Sequence, residues 1–321
     1  MTLTVQLVDP APHGVTTGNR VTALRWARCL RQLGVHVRRS NAWEGRPCDV
    51  LVALHAVKSA ASIERYLSEV PTGRLIVAGT GTDLHASGPE RAVAEASLLR
   101  AHAVIVLQPA ALAEVPAAAR PRARVILQSV SPCLDRPRAA PGFQTCVLAN
   151  LRAVKDPLLA ARAAALLPAS SRVHVALLGA DTDPELGVAA RALVQRSLRF
   201  SWLGAWRHRA ARRFLSASRA LLSTSRSEGG ANAVSEAIVA GVPPLVTAIP
   251  GSLGLLGADW PAAFPVGDAA ALAELLLRAE RDAAFYADLR ARLRGLAPAF
   301  TPAREVAAWR ELLGDLDFTL G

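Results

Sequence analysis

Short apolar runs of strand length alternate with amphipathic segments of helical length along almost the whole chain. In the first half the apolar runs lie at 3–8, 49–54, 74–78, 103–107 and 124–127. In the second half they lie at 144–149, 173–178, 200–203, 220–223, 244–246 and 263–266. Strands that alternate with helices form parallel sheets, because a parallel pair of strands needs a crossover connection. The sequence therefore predicts an α/β fold.

A proline-rich stretch at 132–141 interrupts this alternation and predicts a linker. The chain has 321 residues, enough for two domains of about 150 residues each. We therefore expect one domain at 1–136, a second at 143–300, and a last helical segment at 301–321 that packs back on the first domain. In such an arrangement we expect a ligand cleft between the carboxyl ends of the two sheets.

Composition and charge argue against several classes of protein. No apolar run reaches the ~18 residues of a membrane span, and the N-terminus predicts a strand rather than a signal peptide. We therefore expect a cytoplasmic protein with no membrane partner. The net charge of +11 comes from arginines that are spread along helices, so we expect anionic small-molecule substrates and no nucleic-acid partner. The cysteines are scattered along the chain, so we expect them to be small buried side chains rather than metal ligands or disulfide partners. They are Cys29, Cys48, Cys133 and Cys146.

The segment 223–243 carries the most informative motif, two glutamates separated by seven residues. An apolar strand at 219–223 precedes them, and a helical period follows until Gly241. The small residues Gly229, Gly230 and Ala231 allow a ligand to approach the backbone, and we expect Asn232 to cap the helix. A helix N-terminus favours an anion such as phosphate.

The two glutamates suit different parts of a ligand. Glu228 lies in the loop, where it can face a bound molecule, and Glu236 lies one turn into the helix, where it can accept from the hydroxyl pair of a sugar or ribose. The alternative is an ordinary capped loop with two solvated glutamates.

A second candidate element lies at 150–157, between an apolar strand and a helix. Arg152 and Lys155 can meet a pyrophosphate from the side opposite the 229–232 turn. The chain has 37 basic residues, of which only Lys58 and Lys155 are lysines, so a lysine at this place indicates a compact ammonium on a phosphate. Chance retention of a surface lysine is the alternative.

The first half offers weaker candidates for a second ligand. Gly18 and Asn19 begin a helix, and Arg20 lies in its first turn, where the macrodipole disfavours a cation unless an anion binds there. The loop 80–83 offers hydroxyl and N–H groups to an anion. Gln108 and Gln128 end later strands and can line the same cleft. A helix cap or a turn explains each of these residues equally well.

These segments together resemble one family. The matching stretches are 18–27 (GNRVTALRWA), 48–56 (CDVLVALHA), 81–84 (GTDL), 106–112 (VLQPAAL), 151–157 (LRAVKDP) and 227–236 (SEGGANAVSE). They resemble the selenosugar synthases of selenoneine biosynthesis, which are GT-B glycosyltransferases similar to family 4. The resemblance implies two Rossmann-like domains that face a central cleft, with the acceptor on the N-terminal domain and the donor on the C-terminal one.

The resemblance also implies substrates and residue roles. The donor is UDP-N-acetylglucosamine, the acceptor is selenophosphate, and the selenosugar product passes to a downstream enzyme. Arg152, Lys155 and Glu228 are the expected catalytic residues. The expected donor-binding residues are Arg152, Lys155, Glu228, Gly229, Gly230, Ala231, Asn232 and Glu236. The expected acceptor-binding residues are Gly18, Asn19, Arg20, Thr80, Gly81, Thr82 and Asp83.

We expect no cofactor and no metal. Asp181 and Asp183 match a metal-binding D-x-D motif, but Pro184 and a helix follow, so we expect a capping role. His55 ends a strand, where we expect a core or capping histidine. Two features depart from the wider family: Gly230 and Ala231 replace Phe-Gly, and the segment 250–257 lacks an acidic residue.

Two alternatives stay open at this stage. One is a transferase of the same fold that acts on the hydroxyl of a lipid or glycan, which would need a base in the N-terminal domain. The other is a binding protein without transfer activity, either for nucleotide sugars or for nucleic acid.

Overall fold

The computed structural model describes residues 3–11, 17–133 and 142–318, which form two compact units. The first comprises Met1–Ser129, Glu228–Gly230 and Phe300–Gly321, and the second comprises Val130–Ser227 and Ala231–Ala299. Each unit contains a parallel sheet of six strands, so the predicted α/β fold is confirmed. Residues 134–141 of the predicted linker lie outside the described residues, as do residues 12–16.

The first unit builds its sheet in the order β2-β1-β3-β4-β5-β6. Its elements up to the linker are β1 (Thr4–Val8), α1 (Gly18–Gln32), β2 (His36–Ser40), β3 (Val50–Leu54), α2 (Ala60–Glu69), β4 (Arg74–Gly79), α3 (Gly88–Arg100), β5 (Ala103–Val106) and β6 (Ala123–Val125). The sequence missed β2, because this edge strand carries two arginines and only Val37 is fully buried. The inner strands β3 and β5 are buried along their whole length.

The second unit builds its sheet in the order β12-β11-β10-β7-β8-β9. Its elements are β7 (Phe143–Leu148), α4 (Leu159–Ala165), β8 (Val173–Leu178), α5 (Pro184–Arg196), β9 (Phe200–Trp202), α6 (His208–Ala217), β10 (Ala220–Ser223), α7 (Asn232–Ala240), β11 (Pro244–Thr247), α8 (Pro250–Leu256), β12 (Ala263–Phe264), α9 (Ala269–Arg281) and α10 (Ala283–Leu296). Because β10 pairs with β7 on one side and β11 on the other, the loops after β7 and β10 leave the same edge of the sheet.

The last helix, α11 (Pro302–Gly314), belongs to the first unit and packs on α1. Trp309 meets Trp26 edge to face with ring centroids 5.1 Å apart. Glu305 is 2% exposed, and its carboxylate accepts from Arg25 Nε at 3.0 Å, Trp26 Nε1 at 2.9 Å and the Ser129 amide at 3.1 Å. A buried charge with this many donors fixes α11 to α1.

None of the helices in the described part of the chain combines the length and the apolar character that crossing a membrane requires.

Candidate functional site

The helix after the glycine turn begins one residue away from the predicted cap. Ala231 is the N-cap and Asn232 is the first helical residue, so the prediction that Asn232 caps α7 is wrong. The Ala231 carbonyl already accepts the first helical bonds, from the Val234 amide at 2.9 Å and the Ser235 amide at 3.1 Å. An alanine has no side chain to bond the first turn, and such a helix end is suited to an anion.

The two glycines of this turn are required by packing. A Cβ on Gly229 would lie 2.4 Å from the backbone of Thr80 and Gly81, and one on Gly230 would lie 2.5 Å from Leu107 Cβ. All of these residues belong to the first unit. The sequence attributed Gly229 and Gly230 to ligand approach, whereas the structure places Gly229 against the loop that follows β4 and Gly230 against Leu107, just after β5.

The turn that carries Arg152 and Lys155, the residues predicted to bind phosphate, is hydrogen-bonded to the segment that leads to Glu228. Arg152 is exposed and Lys155 is half-buried at the end of a short 3-10 helix, Ala153–Lys155. The Thr224 hydroxyl donates to the Lys155 carbonyl at 3.0 Å, and the Arg226 amide donates to the Val154 carbonyl at 2.8 Å. The structure thus brings this turn together with the segment just before Glu228.

Asp156 closes the same turn and was not singled out from the sequence. It has a left-handed backbone conformation, with φ of 38°. Its carboxylate accepts from Arg226 Nη2 at 2.9 Å and from Arg162 Nη2 at 3.0 Å. Asp156 thus ties this turn to Arg162 and to Arg226, which lies two residues before Glu228.

Glu236 has a partner that no local sequence signal indicates. The carboxylate Oε1 lies 2.5 Å from Nε2 of His208, the first residue of α6. Glu236 is 8% exposed, and its Oε2 makes no hydrogen bond to any described residue. One oxygen of the Glu236 carboxylate is therefore held by His208, while the other can accept a hydrogen bond from a ligand hydroxyl.

Gly18, Asn19 and Arg20 do begin a helix, as predicted, with Thr17 as the cap. The guanidinium of Arg20 pairs with Asp9 at 3.3 Å and also donates to Asn41 Oδ1 at 3.4 Å. The sequence expected a bound anion to offset the cost of a cation in this first turn. In the structure the Asp9 carboxylate supplies that charge.

Asp83 organises the loop after β4 instead of leaving its amides open. Its carboxylate is buried and accepts from the amides of Ala56 at 2.8 Å, Gly81 at 2.8 Å and Thr80 at 3.1 Å. The expectation that the Thr80 and Gly81 amides are available to an anion is therefore wrong. The hydroxyls of Thr80 and Thr82 remain, and Thr80 Oγ1 is buried with no hydrogen-bond partner among the described residues.

His55 ends β3 with φ of 72° and is buried. Burial lowers the pKa of its imidazole, so the ring is neutral at pH 7. Nδ1 accepts from the Lys58 amide at 3.3 Å, which places the proton on Nε2, and Nε2 lies 3.2 Å from the Thr82 hydroxyl. The Thr82 oxygen thus accepts from His55, and its own proton is available for a ligand.

The two glutamines at strand ends and the two aspartates of the D-x-D motif have different surroundings. Gln108 is fully buried, and neither of its amide atoms has a hydrogen-bond partner among the described residues, so its predicted place in a ligand cleft stays a prediction. Gln128 instead donates to the Thr22 hydroxyl at 2.8 Å. Asp183 accepts from the Leu186 amide at 3.2 Å as the N-cap of α5, which confirms its predicted capping role, and Asp181 pairs with Arg191 at 3.1 Å.

Comparisons with known proteins agree with this architecture. Residues 138–295 match the family model described as Glycosyl transferases group 1. HepE of Anabaena in complex with UDP is 15% identical, with a TM-score of 0.76 over 98% of this chain and 100% of that one. Sucrose-phosphate synthase from Thermosynechococcus elongatus is 17% identical, with a TM-score of 0.78 over 98% of this chain and 99% of that one.

A third similar structure is TarM of S. aureus, a mutant in complex with Fondaparinux, alpha-GlcNAc-glycerol and UDP. It is 12% identical, with a TM-score of 0.65 over 82% of this chain and 55% of that one. A search of the curated proteins by sequence finds no match. These structures confirm the predicted GT-B fold, and each of the two parallel sheets has six strands.

Proposed function

We propose that this chain is a glycosyltransferase that transfers N-acetylglucosamine from UDP-N-acetylglucosamine to selenophosphate. The observation that carries the proposal is the joined pair of loops after β7 and β10. Hydrogen bonds join the turn that carries Arg152 and Lys155 to Thr224 and Arg226, a few residues before α7 begins. The N-cap of α7 is Ala231, which makes no side-chain cap bond, and Glu236 follows one turn later with its Oε1 bound to His208. A nucleoside diphosphate needs cations and a helix N-terminus for its phosphates, and a carboxylate that accepts hydrogen bonds from its ribose hydroxyls.

The donor would be held as follows. Arg152 and Lys155 bind the pyrophosphate together with the N-terminus of α7, at Gly229, Gly230, Ala231 and Asn232. Glu236 accepts from the ribose hydroxyls, and Glu228 contacts the sugar. The similar HepE structures contain UDP, or UDP-glucose, and the TarM structure contains UDP, which supports a UDP-linked donor. N-acetylglucosamine is proposed from the resemblance to selenosugar synthases.

The acceptor would be held by the first unit. Selenophosphate is a small polyanion, and the hydroxyls of Thr80 and Thr82 together with Asn19 offer it hydrogen bonds. Arg20 would contribute N–H donors rather than unpaired charge, because its guanidinium is paired with Asp9. Gly18 and Gly81 supply the close backbone approach. Asp83 acts through the loop, since its carboxylate holds the Thr80 and Gly81 amides.

The transfer itself requires little from the protein beyond position and charge. A selenium–carbon bond forms at C1 of the sugar while the bond from C1 to the UDP oxygen breaks, and the electron pair leaves with UDP. Arg152 and Lys155 stabilise the developing charge. Water then cleaves the selenium–phosphorus bond and releases phosphate and the selenosugar, which passes to a downstream enzyme. In this proposal no metal and no cofactor take part.

A hydroxyl acceptor is the main rival, and it would require a base. The candidate in the acceptor loop is His55, whose Nδ1 already accepts from the Lys58 amide and whose Nε2 lies against Thr82. Both ring nitrogens are thus engaged in holding the loop. This arrangement favours an acceptor that is already a nucleophile, as selenophosphate is.

The test is mass spectrometry of purified protein incubated with UDP-N-acetylglucosamine and fresh selenophosphate. We expect a selenium isotope pattern at the selenosugar mass, lost in Glu228→Ala and kept in Glu311→Ala, which removes an exposed glutamate. UDP release without a selenium product would point to hydrolysis or to another acceptor. No consumption of the donor would contradict both the donor and the acceptor.

A further inference from the structure

The pair of His208 and Glu236 joins the starts of two helices in the second unit. His208 is the first residue of α6, and Glu236 lies in the second turn of α7, 28 residues later. The side chain of His208 is 47% exposed, whereas that of Glu236 is 9% exposed. A histidine that is open to solvent thus reaches a carboxylate that is nearly buried.

The chemistry of the contact fixes which atom carries the proton. An ionised carboxylate can only accept hydrogen bonds, so His208 donates from Nε2 to Oε1. Oε2 has no hydrogen bond to the described residues. Because Oε2 is not one of the fully buried atoms, it can be reached by a ligand hydroxyl and accept from it.

The start of α6 is itself held in place, so His208 is positioned before any ligand binds. Trp206 packs edge to face on Phe214 with ring centroids 5.6 Å apart, and its indole donates to the Leu203 carbonyl at 3.1 Å. Arg212, one turn into the helix, donates to the Ser131 carbonyl. These contacts fix the entry to the helix on both sides of the histidine.

We propose that His208 is a positioning residue for ribose recognition. By holding Oε1 it fixes the rotation of the Glu236 carboxylate, so that Oε2 faces the ribose hydroxyls of the nucleotide. A free glutamate would lose side-chain entropy on binding, and His208 reduces that loss. The inference rests on the proposed function, because it assigns Glu236 to the ribose, and it adds a residue outside the glutamate motif.

The test compares the binding of UDP and 2′-deoxy-UDP by isothermal titration calorimetry. The wild type should prefer UDP by about 10- to 100-fold, the value of a hydrogen bond to a charged group. In His208→Ala the preference should fall to about threefold or less, because UDP binds more weakly while 2′-deoxy-UDP is little changed. His208→Gln, which retains an N–H donor, should restore most of it. His36→Ala, which removes an exposed histidine of β2, should match the wild type.

The outcomes separate this inference from the proposed function. A His208→Ala protein that keeps the full preference, or that binds UDP more tightly, would overturn the positioning role while the donor site stands. A wild type that binds UDP and 2′-deoxy-UDP equally would overturn the assignment of Glu236 to the ribose, and the role of His208 with it. A wild type that binds neither nucleotide would overturn the proposed function and this inference together.

Discussion

The Thr224 hydroxyl donates to the carbonyl oxygen of Lys155 at 3.0 Å. This bond joins the loop after β7 to the loop after β10. A second hydrogen bond, from the Arg226 amide to the Val154 carbonyl, joins the same two loops. The backbone carbonyls of the turn that presents Arg152 and Lys155 are therefore bonded to the segment that leads to Glu228.

Removing the bond from Thr224 to Lys155 should loosen the turn that carries Arg152 and Lys155. Thr224→Val keeps the shape of the side chain but leaves the Lys155 carbonyl without its donor. We expect the Kd for UDP to rise about 3- to 10-fold, the value of one hydrogen bond. Calorimetric titration measures it. Thr145→Val is the matched control, because Thr145 is also buried and donates to a carbonyl, that of His174 at 3.1 Å. Equal weakening by both variants would contradict the role of Thr224.

Lys155 should matter more for turnover than for folding. If its ammonium stabilises the departing UDP, Lys155→Ala should lower kcat by about 10²- to 10³-fold, as for loss of one donor to a developing charge. Lys58→Ala is the control, since Lys58 is exposed and is the only other lysine in the chain. Steady-state measurement of UDP release distinguishes the two. A Lys155→Ala enzyme with unchanged kcat would refute this role.

The close approach at Gly229 should not tolerate a side chain. In Gly229→Ala the new Cβ would lie 2.4 Å from the backbone of Thr80 and Gly81, so the loop that carries Glu228 must move. A displacement of this kind costs on the order of 10²-fold in activity. Gly295→Ala in α10 meets nothing within 4 Å and should instead stabilise the fold, by about 0.4–1 kcal/mol. Full activity in Gly229→Ala would show that the packing is not required.

The buried carboxylate of Glu305 should carry much of the attachment of α11. Glu305→Ala leaves Arg25, Trp26 and Ser129 without their shared acceptor, and breaking a buried charge pair costs about 3–5 kcal/mol. Urea denaturation measures this loss in the free energy of unfolding. Glu311→Ala, on the exposed face of the same helix, should stay within about 0.5 kcal/mol of the wild type. A similarly small loss in Glu305→Ala would contradict the role.

The regular part of the fold could be predicted because hydrophobic periodicity reports burial. Eleven of the strands, the helix that ends at Gly241 and the cap at Asp183 all follow from local patterns. The twelfth strand, β2, was missed because an edge strand buries few of its residues and carries polar ones. Local periodicity has no signal for such a strand.

The site was predicted less completely, because its decisive contacts are not local. The sequence placed Arg152, Lys155 and the two glutamates in loops at strand ends. It could not show that Asp83 would take the Thr80 and Gly81 amides, or that Asp9 would pair with Arg20. The contact between His208 and Glu236 spans 28 residues and depends on how α6 meets α7. The roles of these residues in binding and catalysis stay predictions.

The most direct test of the central claim is phosphorus NMR of a reaction that contains UDP-N-acetylglucosamine and selenophosphate. Each phosphorus species has its own signal, so the donor, UDP, selenophosphate and phosphate are followed in one sample. The account predicts that UDP appears only when selenophosphate is present, and that one selenophosphate is lost for each UDP formed. UDP formation with the selenophosphate signal unchanged would contradict transfer to selenium.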